Sequence, residues 1–374
     1  MKKKKILIIS RSFYPQNSPR SFRTTELVKE FARQGHDVTV YIHKNNKEHV
    51  DFEKKYGVTI KCLGKKKFSI LNIRHGNKYS ILFKRVVNRI LLQLFEYPDI
   101  ELMFKVKKAL KKESNYDLLI SIAVPHTIHW GVAWSRSKRH RIAKTWVADC
   151  GDPFMGATLD TFKKVFYFKY LEKWWSKKAD FITVPFAGAV KAYYTEFHHK
   201  IKIIPQGFNF DEIEINPYDY KQNEIPTFAY SGGFIPGARD PKDFIEYLLS
   251  SKKDFKFIIY TRKLDMVMPY MDRAPDKIKV LNYIPRQELI KELSKMDFIV
   301  NFNNSNTTQL PSKLIDYYLT KRPVLSLDSS DFNKDIVNQF LLGDYLGQFI
   351  HQNPQQYKID YVCQQFLDLE KHDG

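Results

Sequence analysis

Short apolar runs alternate with stretches of helical periodicity along this chain. The first run, Ile6–Ser10, is followed by a helix pattern over Phe22–Gln34 and by a second strand pattern at Asp37–Ile42. Gly35 stands where a glycine commonly ends a helix, because it adopts the left-handed backbone conformation without strain. Strand, helix and strand joined by short turns predict a βαβ unit, the building block of parallel sheets.

The same rhythm continues through most of the 374 residues. Further strand patterns lie at Leu118–Ile122, Thr145–Ala148, Phe181–Val184, Lys202–Pro205, Thr227–Ser231, Phe255–Thr261, Phe298–Asn301 and Val324–Leu327. Helix patterns lie at Phe162–Lys178, Pro241–Ser250, Gln287–Lys295, Pro311–Leu319 and Gln352–Leu369. We therefore predict an α/β fold with two Rossmann-like domains, residues 1–205 and 206–350, and a helix within 351–374 that packs back toward the N-terminal domain.

The charged residues are unevenly distributed between these two halves. Residues 1–200 hold 40 Lys+Arg and 17 Asp+Glu, whereas residues 201–374 hold 21 and 24. The formal net charge of +20 therefore originates entirely in the N-terminal half. Such asymmetry indicates an anionic partner, namely nucleic acid, an anionic membrane surface or a phosphorylated substrate, or else a solvated lysine-rich surface.

Several features of the sequence predict a cytoplasmic location. The apolar run Ile6–Ile9 after the basic N-terminus is too short for a signal peptide, and no run approaches the ~20 apolar residues that span a membrane. The three cysteines, Cys62, Cys150 and Cys363, are widely spaced and offer neither a disulfide framework nor a metal-ligand spacing.

The segment Lys61–Lys112 interleaves basic residues with apolar ones. Within it, Phe83–Leu92 has the pattern of a basic amphipathic helix. Such a helix either lies on an anionic membrane surface or packs its apolar face on the protein's own sheet. The first alternative makes the protein peripheral on the inner face of the plasma membrane.

A glycine loop follows the strand pattern Thr227–Ser231 and leads into a helix pattern. The loop residues that suit an anion site or a helix start are Ser231, Gly232, Gly233, Arg239, Asp240 and Pro241. Glycines let backbone N–H groups approach a phosphate, Arg239 can bind its oxygens, and Asp240 suits the helix N-cap. The segment is either a phosphate-binding loop or a plain connecting turn.

A second helix pattern begins at Pro311, with Ser312 and Lys313 in its first turn. A lysine at this end opposes the helix dipole, and this misfit is explained if an anion binds beside it. Asp316, one turn further along, either accepts hydrogen bonds from a ribose diol or is an ordinary surface carboxylate.

The stretch Pro311–Leu325 (PSKLIDYYLTKRPVL) resembles the donor-site helix and following strand of the retaining glycosyltransferases of family 4. Residues 6–42 resemble the opening βαβ unit of that family, Ile204–Asn209 its inter-domain segment, and Val280–Val300 the stretch that lines the nucleobase. The resemblance implies the GT-B fold, in which two Rossmann-like doubly wound domains face each other across a cleft.

This resemblance also implies the substrates and the chemistry. A nucleotide-diphosphate-sugar donor is expected on the C-terminal domain and a glycan or lipid-linked acceptor on the N-terminal domain, with retention at the anomeric carbon. No obligatory metal and no cofactor are expected. Cations of the protein and helix N-termini must then stabilise the leaving diphosphate.

The resemblance further implies which residues form the site. His126 and Asp152 are expected near the transferred sugar and the acceptor, and Arg20 and Arg23 near a phosphate. The expected donor-binding residues are Ser231, Gly232, Gly233, Arg239, Arg262, Ile284, Thr308, Pro311, Ser312, Lys313 and Asp316.

The chain departs from the family pattern at three positions. Thr308 and Asp316 stand where the family has paired glutamates eight positions apart. Phe234 follows Gly233 where an arginine is usual, so we assign the phosphate role of that arginine to Arg239.

Three other classes of function were weighed against the glycosyltransferase. A non-catalytic sugar-nucleotide-binding protein is the main alternative, because Thr308 lacks the expected carboxylate. A nucleic-acid-binding protein explains the basic half, but none of the usual reader modules occurs, so no nucleic acid is expected. A dinucleotide-dependent oxidoreductase needs a glycine-rich turn after the first strand, and Ser10–Ser21 contains no glycine.

Overall fold

The computed structural model describes residues 2–16, 18–43, 47–73, 77–156, 163–212, 215, 220–237, 239–303, 313–329 and 331–369. The chain divides into two compact units. The N-terminal unit comprises Met1–Phe208 together with Tyr357–Gly374, and the C-terminal unit comprises Asn209–Gln356. Each unit is built on its own parallel sheet.

The N-terminal unit contains a seven-stranded sheet in the order β3-β2-β1-β4-β5-β6-β7. Its strands are β1 (Lys5–Ser10), β2 (Asp37–Ile42), β3 (Thr59–Cys62), β4 (Tyr116–Ala123), β5 (Ala143–Cys150), β6 (Phe181–Val184) and β7 (Ile201–Ile203). Every pair is parallel. Alternate residues of β1 enter two separate cores, Leu7 on one face of the sheet and Ile8 on the other, so the central strands are apolar throughout.

Helices cover both faces of this sheet. They are α1 (Pro19–Arg33), α2 (Lys47–Tyr56), α3 (Lys78–Phe95), α4 (Ile100–Leu110), α5 (Thr127–Ser135) and α6 (Phe168–Lys178), with 3-10 helices at Ala187–Ala192 and Thr195–Lys200. The C-terminal α12 (Ile359–Asp368), which follows a 3-10 helix at Pro354–Tyr357, packs on α1 and buries Val362 and Phe366 in the N-terminal core.

The register of the strands brings several loops to one edge of the sheet. Ser10 at the end of β1 pairs with Ile122 of β4, and Ala123 at the end of β4 pairs with Cys150 at the end of β5. The segments that follow β1, β4 and β5 therefore leave the sheet side by side. In open parallel sheets, ligands bind at this carboxyl edge.

The C-terminal unit has a five-stranded parallel sheet in the order β10-β9-β8-β11-β12. Its strands are β8 (Thr227–Ser231), β9 (Lys256–Tyr260), β10 (Ile278–Leu281), β11 (Phe298–Phe302) and β12 (Val324–Leu327). Its helices are α7 (Lys242–Ser250), α8 (Met268–Arg273), α9 (Arg286–Leu293), α10 (Lys313–Leu319) and α11 (Lys334–Leu341), with a 3-10 turn at Leu264–Met266. Phe228 stacks between Phe257 and Phe298 of the neighbouring strands, with ring centroids 4.9 and 4.5 Å away.

The first helix begins earlier than its apolar pattern predicts. The Ser18 side chain accepts a hydrogen bond from the Ser21 backbone N–H, and Pro19 occupies the first helical turn. Serine at the N-cap followed by proline is a start signal that the apolar periodicity does not contain. Arg20 and Arg23 consequently lie within α1 and do not flank it.

The end of α1 matches the prediction. Gly35 has φ +85°, its N–H donates to the Ala32 carbonyl, and the next N–H, of His36, donates to the Phe31 carbonyl. This pair of bonds is the Schellman arrangement, which satisfies the last carbonyls of the helix. Among the described residues, no helix is long and apolar enough to cross a membrane.

Candidate functional site

The glycine loop of the C-terminal unit is held in place by a tyrosine from α10. The Tyr317 hydroxyl donates to the Ser231 carbonyl at 2.9 Å and accepts from the Ser231 N–H at 3.2 Å. Gly232, with φ +145°, donates its N–H to the Tyr260 carbonyl. The carboxyl end of β8 is therefore fixed against α10, the helix that carries Lys313 and Asp316.

Lys313 lies above aromatic rings rather than beside a carboxylate. Its Nζ is 4.5 Å from the centroid of the Tyr230 ring and 5.8 Å from that of the Tyr317 ring. This nitrogen is buried and has no hydrogen-bond partner within the described part of the chain. A desolvated ammonium group without a counter-ion is costly, so this nitrogen is a candidate contact for an anion.

Arg239 supplies a second positive charge in the same region. Its backbone closes a short antiparallel bridge with Ile235, and its Nε is buried with no hydrogen-bond partner among the residues described. Burial, and then the positive charge of Arg239, lower the pKa of Lys313 to about 7. The two cations that the sequence predicts at the donor diphosphate thus influence each other directly.

The start of α7 is already occupied by a carboxylate. Asp240 accepts a hydrogen bond from the Lys242 N–H at 3.1 Å, and its own N–H donates to Ser329 Oγ at 2.9 Å. The structure places Pro241 at the N-cap of α7, one residue later than predicted, and Asp240 brings a negative charge to the residue before it. The Lys242 amide of α7 is therefore already bonded, whereas Arg239 Nε and Lys313 Nζ have no hydrogen-bond partner among the described residues.

Asp316 forms an ion pair that the sequence does not predict. Arg286, at the start of α9, donates from Nε to Asp316 Oδ1 at 2.8 Å, and its Nη2 lies 2.6 Å from the same oxygen as an ion-pair contact. Both side chains are about one-fifth exposed, at 21% and 20%. Burial raises the pKa of Asp316, and Arg286 offsets that rise only in part. A ribose at this carboxylate must therefore share it with the guanidinium.

The remaining predicted donor residues are only partly described. The Arg262 guanidinium lies 4.4 Å from the centroid of the Tyr283 ring, and Ile284 is packed against the core beneath α9 and α10. Gly233 is exposed at the tip of the loop. Thr308, Pro311 and Ser312 lie outside the described residues.

Arg23 has a different environment from the phosphate site that we predict for it. Its guanidinium donates to both carboxylate oxygens of Asp149, at 2.8 and 3.0 Å, and to the carbonyls of Ile204 and Pro205. Both side chains of this pair are only 4% exposed. Burial by itself raises the pKa of Asp149, but the charge and hydrogen bonds of Arg23 outweigh it and the pKa is lowered. Arg23 is therefore a buried structural partner of Asp149 and is not available to a phosphate.

Arg20 is the more accessible of the two predicted arginines. Its Nη2 donates to Asp152 at 3.0 Å, and the side chains are 21% and 55% exposed. The guanidinium lies directly on Gly151, where an added Cβ would be 1.5 Å from Nη1. Any other residue at position 151 must displace this guanidinium, which is the far end of a flexible and partly exposed side chain.

His126 is buried at the carboxyl edge of the sheet and is only 3% exposed. Its Nε2 donates to the Asp152 carbonyl at 3.1 Å, which leaves Nδ1 as an acceptor with no hydrogen-bond partner among the described residues. Burial lowers the pKa of His126 to about 4, so the ring is neutral at physiological pH. The neutral ring is therefore not a general acid at pH 7, and its acceptor Nδ1 is buried.

A second histidine and a cysteine surround His126. Ligand atoms of His126, His129 and Cys150 lie within 4.8 Å of one another. His129 hydrogen-bonds Ser121 Oγ at 2.8 Å and Cys150 Sγ at 3.4 Å. Burial lowers the pKa of His129 and raises that of Cys150, so this group is held uncharged in an aromatic environment.

Known proteins resemble this chain in both sequence and fold. The family described as Glycosyltransferase Family 4 matches residues 22–212, which is more than half of the 374 residues. The chain belongs to glycosyltransferase family 4. It is therefore a glycosyltransferase, as the sequence predicts. No curated protein matches the chain.

Solved structures show the same architecture as this family 4 chain. A glycosyltransferase from Rickettsia africae ESF-5 has a TM-score of 0.64 at 12% identity and covers 100% of this chain and 99% of its own. TarM from S. aureus has a TM-score of 0.62 at 11% identity, with 99% of each chain covered. WaaB, a lipopolysaccharide outer core galactosyltransferase, has a TM-score of 0.58 at 11% identity, with coverage of 99% and 100%. The GT-B fold, with two Rossmann-like parallel-sheet domains, is thereby confirmed.

This glycosyltransferase also buries a carboxyl group that the sequence analysis missed. Glu172 of α6 is fully buried, and neither carboxyl oxygen has a hydrogen-bond partner of normal geometry in the described chain. Burial raises its pKa to about 7, and the backbone of Met155 offsets the rise only in part. Glu172 lies close enough to Cys150 and Tyr193 to raise the pKa of both groups.

Two other missed residues shape the donor region of the glycosyltransferase. Tyr230 and Tyr317 carry Lys313 on their rings, and Tyr317 also fixes Ser231. Their sequence context is that of ordinary core aromatics, and both are fully buried. The sequence signal for Tyr230 is its position at the end of β8, directly before the glycine loop.

Proposed function

We propose that this enzyme transfers a sugar, with retention, from a nucleotide-diphosphate-sugar to a hydroxyl acceptor. The acceptor is a lipid-linked or cell-surface polysaccharide precursor, and the reaction takes place at the cytoplasmic face of the membrane. The donor is held by the C-terminal unit and the acceptor by the N-terminal unit.

One observation in the C-terminal unit carries this proposal. Lys313 and Arg239 bring two positive charges, each with a buried nitrogen that has no hydrogen-bond partner in the described chain, to the carboxyl end of β8. A diphosphate supplies the negative charge that this pair lacks. The position is also the switch point of the sheet, where β8 lies between β9 and β11.

The same two residues supply the catalytic effect of the donor site. As the bond to the sugar breaks, negative charge develops on the leaving diphosphate, and fixed cations in a desolvated site stabilise it. No metal is needed for that step in the proposed mechanism. We therefore expect turnover to be unaffected by a chelator.

His126 is proposed to contact the transferred sugar or the acceptor hydroxyl. Its neutral ring offers Nδ1 as an acceptor, while the Asp152 carbonyl holds Nε2. A His126→Gln variant, in which the amide replaces the ring with a shorter polar group, is expected to lose turnover while nucleotide affinity is unchanged. Asp152 acts through Arg20 and through the orientation of His126.

The nature of the acceptor is inferred from charge and from similar proteins. The excess of basic residues lies entirely in residues 1–200, the part that holds the acceptor in this proposal. WaaB is a lipopolysaccharide outer core galactosyltransferase, and a mutant of S. aureus TarM has been solved in complex with fondaparinux, α-GlcNAc-glycerol and UDP. These similar proteins support a nucleotide donor and a surface glycan as the product.

The test is a thermal-shift screen of UDP, GDP, ADP and CMP, each alone and as its sugar conjugates. We expect one nucleoside diphosphate and one of its sugars to raise the melting temperature, because a ligand that binds only the folded state stabilises it. The anomeric configuration of the product, read by NMR, then tests retention. A panel without any shift contradicts the proposal.

A non-catalytic sugar-nucleotide-binding protein is the alternative outcome of the same experiment. It predicts a thermal shift with the nucleotide sugar but no hydrolysis or transfer, with or without a glycan acceptor. Substitution of Thr308 by glutamate, the residue usual in the family, distinguishes a lost catalytic contact from a changed sugar preference.

A further inference from the structure

The helix α3 presents a continuous apolar surface to solvent. None of its 18 residues is buried. At about 100° per residue, its exposed apolar side chains other than Phe95 fall within an arc of about 120°, which contains Gln93 as a polar member. These side chains, here called the α3 face, are Tyr79, Leu82, Phe83, Val86, Ile90 and Leu94.

The exposure of the α3 face excludes one of the two alternatives that the sequence left open. Tyr79 is 82% exposed and Phe83 is 67% exposed, so this face does not pack on the protein's own sheet. The half-buried residues of the helix, such as Ile81 and Leu92, face the protein instead. Apolar residues on both sides of an amphipathic helix indicate that the outer side also has an apolar partner.

Positive charge borders this surface on one side. Lys78, Arg85 and Arg89 fall within about 40° of one another on the helix, directly beside the apolar arc. Residues 78–95 contain no aspartate or glutamate. The polar border of the α3 face is therefore uniformly basic.

A neighbouring segment is fixed to the other side of this helix, because Asn88 lies about 180° from the centre of the α3 face. Asn88 of α3 binds the backbone of Leu71 through both amide atoms, at 2.9 Å each, and Phe68 stacks on Tyr97 with ring centroids 5.4 Å apart. This anchors the segment 68–73 beside the helix. Its Ile70 is 56% exposed, and Leu71 is 42% exposed.

We propose that the α3 face docks this protein on a bilayer that contains anionic lipid. The helix lies in the plane of the interface, with Phe83 and Ile90 inserted at the acyl boundary and the arginines at the headgroup phosphates. This is the arrangement expected of interfacial amphipathic helices with basic borders.

Two other occupants fit the surface less well. A second copy of this chain brings like charges together, because the border of the α3 face contains only cations. The arginines suit the phosphates of nucleic acid, but nucleic acid would leave the large apolar arc exposed to solvent. A bilayer with anionic headgroups satisfies both parts of the surface at once.

This inference rests on the proposed function only for its purpose, which is to bring the enzyme to a lipid-linked acceptor. Docking is measured without sugar nucleotide, and the thermal shift by the nucleotide is measured without lipid. A negative result for docking therefore does not contradict nucleotide binding, and the reverse also holds, so the two proposals are tested separately.

The test is co-sedimentation of the full chain with phosphatidylcholine vesicles, with or without 30 mol% phosphatidylglycerol (roughly the anionic content that gives a strong surface potential). We expect binding to the anionic vesicles at low salt and weaker binding at high salt. The variants Phe83→Ser/Ile90→Ser and Lys78→Gln/Arg85→Gln/Arg89→Gln are each expected to lower the partition coefficient at least about tenfold.

Matched controls come from the C-terminal unit. Leu342→Ser/Leu346→Ser removes two leucines that are 74% and 93% exposed, and Lys252→Gln/Lys256→Gln/Lys279→Gln removes three exposed lysines. Both controls are expected to bind vesicles as the unsubstituted chain does. Thermal melts verify that all variants are folded.

Three results overturn the proposal. One is equal binding to both kinds of vesicle, and another is equal loss in the variants and their controls. The third is a concentration-dependent dimer in light scattering that the α3 variants abolish, since that result assigns the face to a second copy of the chain.

Discussion

Lys313 Nζ lies 4.5 Å from the centroid of the Tyr230 ring, although Asp316 is only one helical turn away on α10. The carboxylate pairs with Arg286 and leaves the ammonium group to the aromatic face. An aromatic ring attracts a cation without neutralising it, and burial lowers the pKa of Lys313 to about 7, so an anion beside the ring favours the protonated amine. This separation of the two side chains leaves Lys313 Nζ without a carboxylate partner among the described residues.

Substitution of either cation is expected to weaken donor binding. Lys313→Ala and Arg239→Ala should each reduce the affinity for the nucleoside diphosphate by about 1.5–3 kcal/mol, the scale of a charged hydrogen bond. Isothermal titration measures the loss. Lys321→Ala is the matched control, because Lys321 Nζ also lies 4.5 Å from a tyrosine ring, that of Tyr318. Equal affinities in all three variants would remove these residues from the site.

Donor affinity should fall as the pH rises above 7. The pKa of Lys313 in the free enzyme is about 7, so at pH 8–9 the amine must take up a proton when the diphosphate binds. Titrations at pH 7 and 9, in buffers of different ionisation enthalpy, should show weaker binding and greater proton uptake at the higher pH. In Lys313→Met the donor affinity should be low at both pH 7 and pH 9. If its affinity depends on pH as steeply as that of the unsubstituted enzyme, Lys313 is not the group that titrates.

The pair formed by Arg23 and Asp149 is expected to contribute to stability rather than to substrate binding. Both side chains are 4% exposed, so removal of one charge leaves the other buried without its partner. Arg23→Met and Asp149→Asn should each lower the free energy of unfolding by about 3–5 kcal/mol. Arg20→Met, with its more exposed partner, should cost less than about 1 kcal/mol. Denaturant titration distinguishes these values, and a loss of activity without loss of stability in Arg23→Met restores a ligand role to that residue.

Glu172 should make the stability of the N-terminal unit depend on pH. Its pKa is about 7 in the folded protein against an ordinary value of 4.5, so the folded state holds this proton more tightly. The stabilising contribution of the neutral Glu172 carboxyl is therefore fully present below pH ~4.5 and falls as the pH rises through 4.5–7. Above pH 7 the ionised carboxylate lowers the free energy of unfolding by roughly 2–4 kcal/mol. Glu172→Gln should raise the melting temperature more at pH 8 than at pH 5.

A matched substitution tests the reason for that effect. Glu113 is also buried but pairs with Lys61 at 2.6 Å and accepts hydrogen bonds from Tyr41 and Tyr116. Glu113→Gln should therefore destabilise the protein at pH 8. An equal change of the melting temperature in Glu172→Gln at both pH values contradicts a raised pKa of Glu172 in the folded protein.

Part of the fold is readable from the sequence because it is governed by local patterns. The predicted strands Asp37–Ile42, Phe181–Val184, Thr227–Ser231 and Val324–Leu327 have the bounds that the structure gives them. Strands buried on both faces are continuous apolar runs, and such runs need no knowledge of distant residues. Short helices without a clear apolar period, such as α5, were missed, because α5 is almost fully buried and apolar on all sides.

The amino-acid sequence by itself determined the strand–helix rhythm, the basic N-terminal half and the family, and it pointed to Lys313 and Arg239. The tertiary structure decided the partner of each charged group: Arg23 meets Asp149 across 126 positions, and Asp316 meets Arg286 across 30. It also decided that the apolar side of α3 is uncovered. The physical reason is that periodicity depends on neighbours within one or two helical turns, whereas ion pairs and burial depend on strand register and packing between distant segments.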